Sequence, residues 1–150
     1  MQRYYQRVTA RLVRERAEEP FGPTMDGSRE CAKFLGGLIA DKPVEHMVVL
    51  ALNARHRLVG YKVVAVGGAT SCAVEPREVF AVAFQTGAVA LVCGHNHPSG
   101  DPQPSADDVV LTRRLEQAGK MLGIPILDHV VVGFGGAFSF AEHGLIGKAA

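Results

Sequence analysis

Residues 88–108 read AVALVCGHNHPSGDPQPSADD, Ala88 to Asp108. The first six, AVALVC, form a short run with no polar side chain, the signature of a strand buried on both faces in the middle of a sheet. Pro98, Pro102 and Pro104 then stiffen a loop by fixing φ. Ser105-x-x-Asp108 resembles a capping box with a short acid in place of glutamate. A helix is therefore predicted from about Ser105 to Leu122, with Leu111, Leu115, Ala118 and Leu122 as its apolar stripe. Gly123 and Pro125 end it. The stretch is a strand, a rigid loop and a helix, the start of an α/β unit.

Two histidines sit where that strand gives way to the loop. If the chain stays extended past Cys93, His95 and His97 project to the same side, because alternate residues of a strand share a face. Two neutral imidazoles side by side can chelate a cation, and zinc is a common guest. Catalytic zinc takes three protein ligands and a water. Asp101, Asp107 and Asp108 are the nearby candidates for the third. Asp101 lies between prolines and reads as a solvated turn residue. At about 100° of rotation per residue, Asp107 and Asp108 fall about 50° to either side of the apolar stripe, so periodicity does not choose between them. Helix grammar alone also accounts for both acids, which suit a first turn.

Working outward, Val44–Leu52 and Leu58–Val66 read as two strands around the turn Asn53–Arg57. Pro76 opens a helix to about Thr86, with Val79, Phe80, Ala83 and Phe84 at helical spacing. Ser28 is the expected cap of an earlier helix over about 29–40, which Pro43 stops. Ile126–Val132 is another strand, and Phe138–Phe140 a short last one. Residues 4–13 alternate weakly and read as a basic edge strand, one through which a homodimer could form, followed by a linker to residue 27. The domain proper is expected over residues 28–150. The fold class is α/β, a three-layer arrangement with a mixed sheet flanked by helices. Ligands in such sheets gather beyond strand carboxyl ends, which is where the quoted loop lies.

The bulk numbers suit one globular domain of 150 residues, 47% hydrophobic and 21% charged. A net charge of +1 gives no electrostatic case for nucleic acid or membrane as an obligatory partner. Cys31, Cys72 and Cys93 are widely spaced and odd in number, as in reduced intracellular thiols. No apolar run approaches the ~20 residues of a membrane span. Residues 1–16 lack the apolar core of a signal peptide, so a cytoplasmic protein is expected.

The full pattern H-x-H-x7-S-x2-D, carried by His95, His97, Ser105 and Asp108, resembles the JAMM motif of MPN-domain (JAB-like) metallopeptidases. Residues 43–147 resemble the RadC family more closely, through PVEHMVVLALNARHRLVG, EPREVFAVAFQTGAVALVCGHNHPSGDPQPSADDVVLTRRLEQAGKMLGIPILDHVVVG and FSFAEHGLIG. The resemblance implies a sheet between helices, related in architecture to the cytidine deaminases. It implies one zinc (Zn2+) per chain held by His95, His97 and Asp108. It implies Glu45 as general base, Ser105 as donor to an oxyanion, and a peptide or protein substrate. Many RadC proteins carry a helix-hairpin-helix region before this domain. Residues 1–27 are too short and too charged to supply one.

Several other readings compete. RadC proteins have an association with DNA repair, and Arg3, Arg7, Arg11, Arg14 and Arg16 make a basic start, partly cancelled by Glu15, Glu18 and Glu19. A nucleic-acid-binding role or a metal-dependent phosphodiesterase follows from that reading, as does a catalytically silent protein-binding module from the fold alone. A nucleobase deaminase needs H-x-E and P-C-x-x-C, and neither is present. Taken alone, Glu45 is a solvated residue at a strand start. Glu75 and Glu78 rival it but belong to a helix start. Cys93 reads as a small buried thiol. His46 and His56 read as surface residues. Asp128-His129, in mid-strand, reads as a satisfied core pair in preference to a support for the metal site.

Overall fold

The computed structural model describes residues 13, 22–67 and 74–147. Its elements are α1 (Ser28–Ile39), β1 (His46–Leu52), β2 (Leu58–Val66), α2 (Pro76–Thr86), β3 (Ala90–Asn96), α3 (Ala106–Leu122), β4 (Ile126–Gly133) and β5 (Gly136–Ser139). The expected edge strand lies outside the described residues apart from Val13, as do the five N-terminal arginines.

The strands form one mixed sheet in the order β2-β1-β3-β4-β5. β1 pairs antiparallel with β2 and β3, β3 runs parallel to β4, and β4 and β5 form a hairpin. A parallel pair needs a crossover, and α3 supplies it. The central strands are apolar because both of their faces are covered. Leu50, Val92 and Val130 face α1, packing with Cys31, Leu35 and Ile39. Val49, Leu91, Cys93 and Val131 face the other way, packing with Val79 and Phe80 of α2 and Leu111 and Leu115 of α3. The three layers expected from the sequence are therefore present, with α1 on one side and α2 and α3 on the other.

Three details differ from the sequence reading. Ser28 does not cap α1. Gly27 holds that position in extended conformation with no side-chain bond, and the Ser28 hydroxyl instead donates to Glu142. In α2, Val82 is buried where Phe84 was expected, and Phe84 is 66% exposed. β3 continues past its apolar run to Asn96, which brings His95 inside the strand.

Gly94 makes that continuation possible. A Cβ there would lie 2.3 Å from a Leu35 methyl, so glycine lets α1 close over the strand just before the first histidine.

Candidate metal centre

The site forms where the end of β3 meets the start of α3. Ser105 caps α3, and the two halves of the capping box are complete. The Asp108 N–H donates to Ser105 Oγ at 3.1 Å, and the Ser105 N–H donates to Asp108 Oδ2 at 2.7 Å. The cap folds the Asp108 carboxylate back toward the helix start and so toward β3. This settles the choice among the acids. Asp108 is buried, while Asp107 and Asp101 are exposed. Asp101 still serves the site, through its backbone: its carbonyl accepts from His97 Nδ1 at 2.8 Å.

His95 Nε2, His97 Nε2 and the Asp108 carboxylate converge. The two Nε2 atoms lie 3.0 Å apart. His95 Nε2 is 3.3 Å from Asp108 Oδ1, and His97 Nε2 is 3.5 Å from Asp108 Oδ2. Zinc at about 2.0–2.1 Å from each nitrogen, in a tetrahedron, would keep its donors about 3.3 Å apart, so this triangle fits a small divalent ion. The three residues could hold a metal.

The electrostatics agree. Burial by itself raises the Asp108 carboxyl, but the neighbouring His95 ring and Ser105 outweigh it. The carboxyl is held well below the usual carboxylate range. Burial, joined by His95, pushes the His129 imidazole well below its ordinary value. Two imidazole nitrogens beside a carboxylate make a donor set suited to a hard or borderline cation.

The loop carrying His97 is pinned from below. The His97 N–H donates to the Val132 carbonyl at 2.9 Å, and the Gly135 N–H to the Gly100 carbonyl at 3.3 Å. A Cβ on Gly133 would come within 2.3 Å of that same carbonyl oxygen. Gly133 and Gly135 thus let the loop rest on the backbone of the β4–β5 turn.

A scan against family models matches the RadC-like JAB domain over residues 25–145. The chain belongs to that family. Similar proteins include UPF0758 proteins of Symbiobacterium thermophilum, 46% identical over 79% of this chain and 50% of its own length, and of Shouchella clausii, 39% identical over 81% and 53%. A third, from Chlorobaculum parvum, is 40% identical over 81% of the chain and 55% of its own length. The chain spans about half the length of these relatives. The RadC-like JAB assignment agrees with the mixed sheet and with the His95, His97 and Asp108 cluster.

Glu45 precedes β1 and is half-buried. Met47 pairs with His95 in the β1–β3 ladder. The β1–β3 ladder ends at that pair, so Glu45 lies two residues before it in the segment leading into β1. Asn96 secures this segment. Its Oδ1 accepts from the His46 N–H at 2.7 Å, and its Nδ2 donates to the Val44 and Lys42 carbonyls at 3.1 and 3.2 Å. The sequence reading passed over Asn96. Its one signal was a polar residue placed between the two histidines, so on the opposite face.

The Asp128-His129 pair divides. Asp128 accepts from Ser139 Oγ at 2.6 Å and from the His129 and Ala141 N–H groups at 2.7 and 2.9 Å, which makes it the satisfied core residue expected. His129 touches the cluster itself, with its Nε2 2.8 Å from His95 Nδ1. Cys93 is buried, its thiol pushed up to about 12 by burial and by Asp128, as a structural cysteine should be. His56 is exposed and His46 half-buried.

Proposed function

We propose that this domain is a zinc-dependent hydrolase of peptide or isopeptide bonds. The observation that supports it most is the donor triangle of His95, His97 and Asp108, formed where the end of β3 meets the start of α3. A bound zinc would supply a Lewis acid and lower the pKa of a water toward ~7. His95 and His97 would donate through Nε2, and Asp108 through its carboxylate. Glu45 would take a proton from the attacking water and pass it to the leaving amine. Ser105 Oγ accepts from the Asp108 N–H, and its hydroxyl hydrogen would donate to the developing oxyanion. The donor set also accepts other divalent ions. Free Cys31 and Cys93 suit a reducing compartment such as the cytoplasm. No helix among the described residues is long and apolar enough to cross a membrane.

The test is hydrolysis of a quenched-fluorescence library of linear peptides and Lys-linked isopeptides by zinc-loaded protein. Glu45→Gln should keep its zinc and lose about 10²–10⁴-fold in rate. Cleavage by Glu45→Gln at the wild-type rate would remove the glutamate from its role. No cleavage by zinc-loaded wild type would remove the peptidase reading.

A further inference from the structure

His129 is a fully buried imidazole that the proposed chemistry does not use. Its ring stacks on Phe140, with centroids 5.0 Å apart. Its two nitrogens join neighbours on different elements: Nε2 meets His95 Nδ1 at 2.8 Å, and Nδ1 meets Thr112 Oγ1 at 2.6 Å. Thr112 is itself buried and lies 2.6 Å from the carbonyl oxygen of Asp108, one turn back in α3.

We propose that Thr112 and His129 form a positioning relay that fixes which nitrogen of His95 carries hydrogen and so prepares His95 Nε2 to bind metal. The inference rests on the metal-site reading above. The direction of every bond follows from the inventory of donors and acceptors. A carbonyl oxygen only accepts, so the single Thr112 hydroxyl hydrogen lies toward Asp108. The hydroxyl oxygen must then accept from His129, which puts the His129 hydrogen on Nδ1. A neutral imidazole has one N–H, so His129 Nε2 is an acceptor. The group facing it, His95 Nδ1, must donate. His95 Nε2 is left with a bare lone pair, and it is the atom that points into the triangle.

His97 reaches the same state by a shorter route, since its Nδ1–H donates directly to the Asp101 carbonyl. The relay differs in what it ties together. It begins on the backbone of one candidate ligand, Asp108, and ends on the ring of another, His95. It also predicts an effect at a distance. Without the Thr112 hydroxyl, His129 is free to carry its hydrogen on Nε2. That would turn His95 Nδ1 into an acceptor and leave the His95 hydrogen on Nε2, where the metal must bind.

The test uses Thr112→Val, which keeps the volume and removes the hydroxyl, beside Thr112→Ser, which keeps the hydroxyl and removes a methyl. Long-range ¹H–¹⁵N spectra of the metal-free proteins read the His95 tautomer, and competition against a chelator of known strength reads zinc affinity. Wild type and Thr112→Ser should show hydrogen on His95 Nδ1. Thr112→Val should bind zinc about 10–100-fold more weakly, the usual loss when a ligand's hydrogen-bond partner is removed, with Thr112→Ser within about threefold of wild type. A purely structural Thr112 gives the reverse order, since the serine leaves the cavity. His129→Phe fills the ring's place against Phe140, removes the acceptor and should lose affinity to the same degree; it decides the matter if Thr112→Val does not fold. Hydrogen on His95 Nε2 in metal-free wild type would overturn the relay, and so would wild-type zinc affinity in folded Thr112→Val or His129→Phe. If wild type binds no zinc, the metal reading fails, while the tautomer spectrum still judges the relay.

Discussion

On the α1 side of the sheet, Cys31, Leu35 and Ile39 pack on Val48, Leu50, Val92, Val130 and Val132. On the α3 side, the same strands bring His95 and His129 under a helix that adds Asp108 and Thr112. The first layer is held mainly by removing apolar surface from water. The second is apolar toward Phe80 and Leu115 but becomes a buried polar network at the end of β3. Such a network stabilises only if every member finds a partner. Among the described residues, every buried side-chain nitrogen and oxygen does. Neighbours in β4 show the division at one step of the chain. Asp128, on the α1 side by strand alternation, closes a local loop with Ser139 and Ala141, while His129, on the α3 side, reaches the candidate metal ligand. Both layers carry the fold, and one of them also carries the site.

Ile39→Ala is the strongest challenge to that division. It should cost about 2–5 kcal/mol of unfolding free energy, by loss of burial and creation of a cavity, measured by urea denaturation. Zinc affinity of the folded variant should match wild type. A large fall in affinity with the fold intact would show that the layers are not separate. Asn96→Ala probes the seam, because Asn96 lies inside the sheet yet holds the segment that leads to Glu45. Leaving its partners unpaired should cost about 1–3 kcal/mol. The hydrolytic rate should fall more than zinc affinity does, since the zinc donors keep their own supports.

The smallest effect compares two thiols, one in each layer. Both Cys31 and Cys93 are pushed up to about 12 from 9.0, chiefly by burial. The sign is that of a raised folded-state value: the contribution to stability is complete below pH 9 and is lost as pH rises from 9 toward 12, because unfolded thiols ionise first. Near neutral pH, alkylation therefore reports opening of each layer. Saturating zinc should slow alkylation of Cys93 by about tenfold more than that of Cys31 if the site layer opens by itself. Equal protection, read by mass spectrometry of the labelled peptides, would mean that both layers open together.

Much of this was legible in the sequence, for physical reasons. Apolar runs marked the central strands because both their faces are covered. Pro76, Ser105 and Gly123 marked helix ends because they satisfy or end backbone hydrogen bonding there. The histidine pair was visible as a spacing of two. What stayed hidden needed contacts between distant segments. Periodicity placed Asp107 and Asp108 symmetrically, and the fold-back of the capping box broke the tie. β3 seemed to stop at Cys93 because its next residues are polar for the sake of the site. His129 looked like core because a strand's own pattern does not show what lies diagonally across a parallel ladder, where Cys93 pairs with His129 and His95 with Val131. Thr112 gave no signal at all within its helix.

His95, His97 and Asp108 are proposed to hold a metal ion. The most direct test is elemental analysis of wild type and Asp108→Ala, dialysed side by side against zinc and then against zinc-free buffer. Wild type should retain about one zinc per chain, as a site of three protein ligands and a water would, and Asp108→Ala should retain little. Equal zinc in the two proteins, or none in either, would contradict the account.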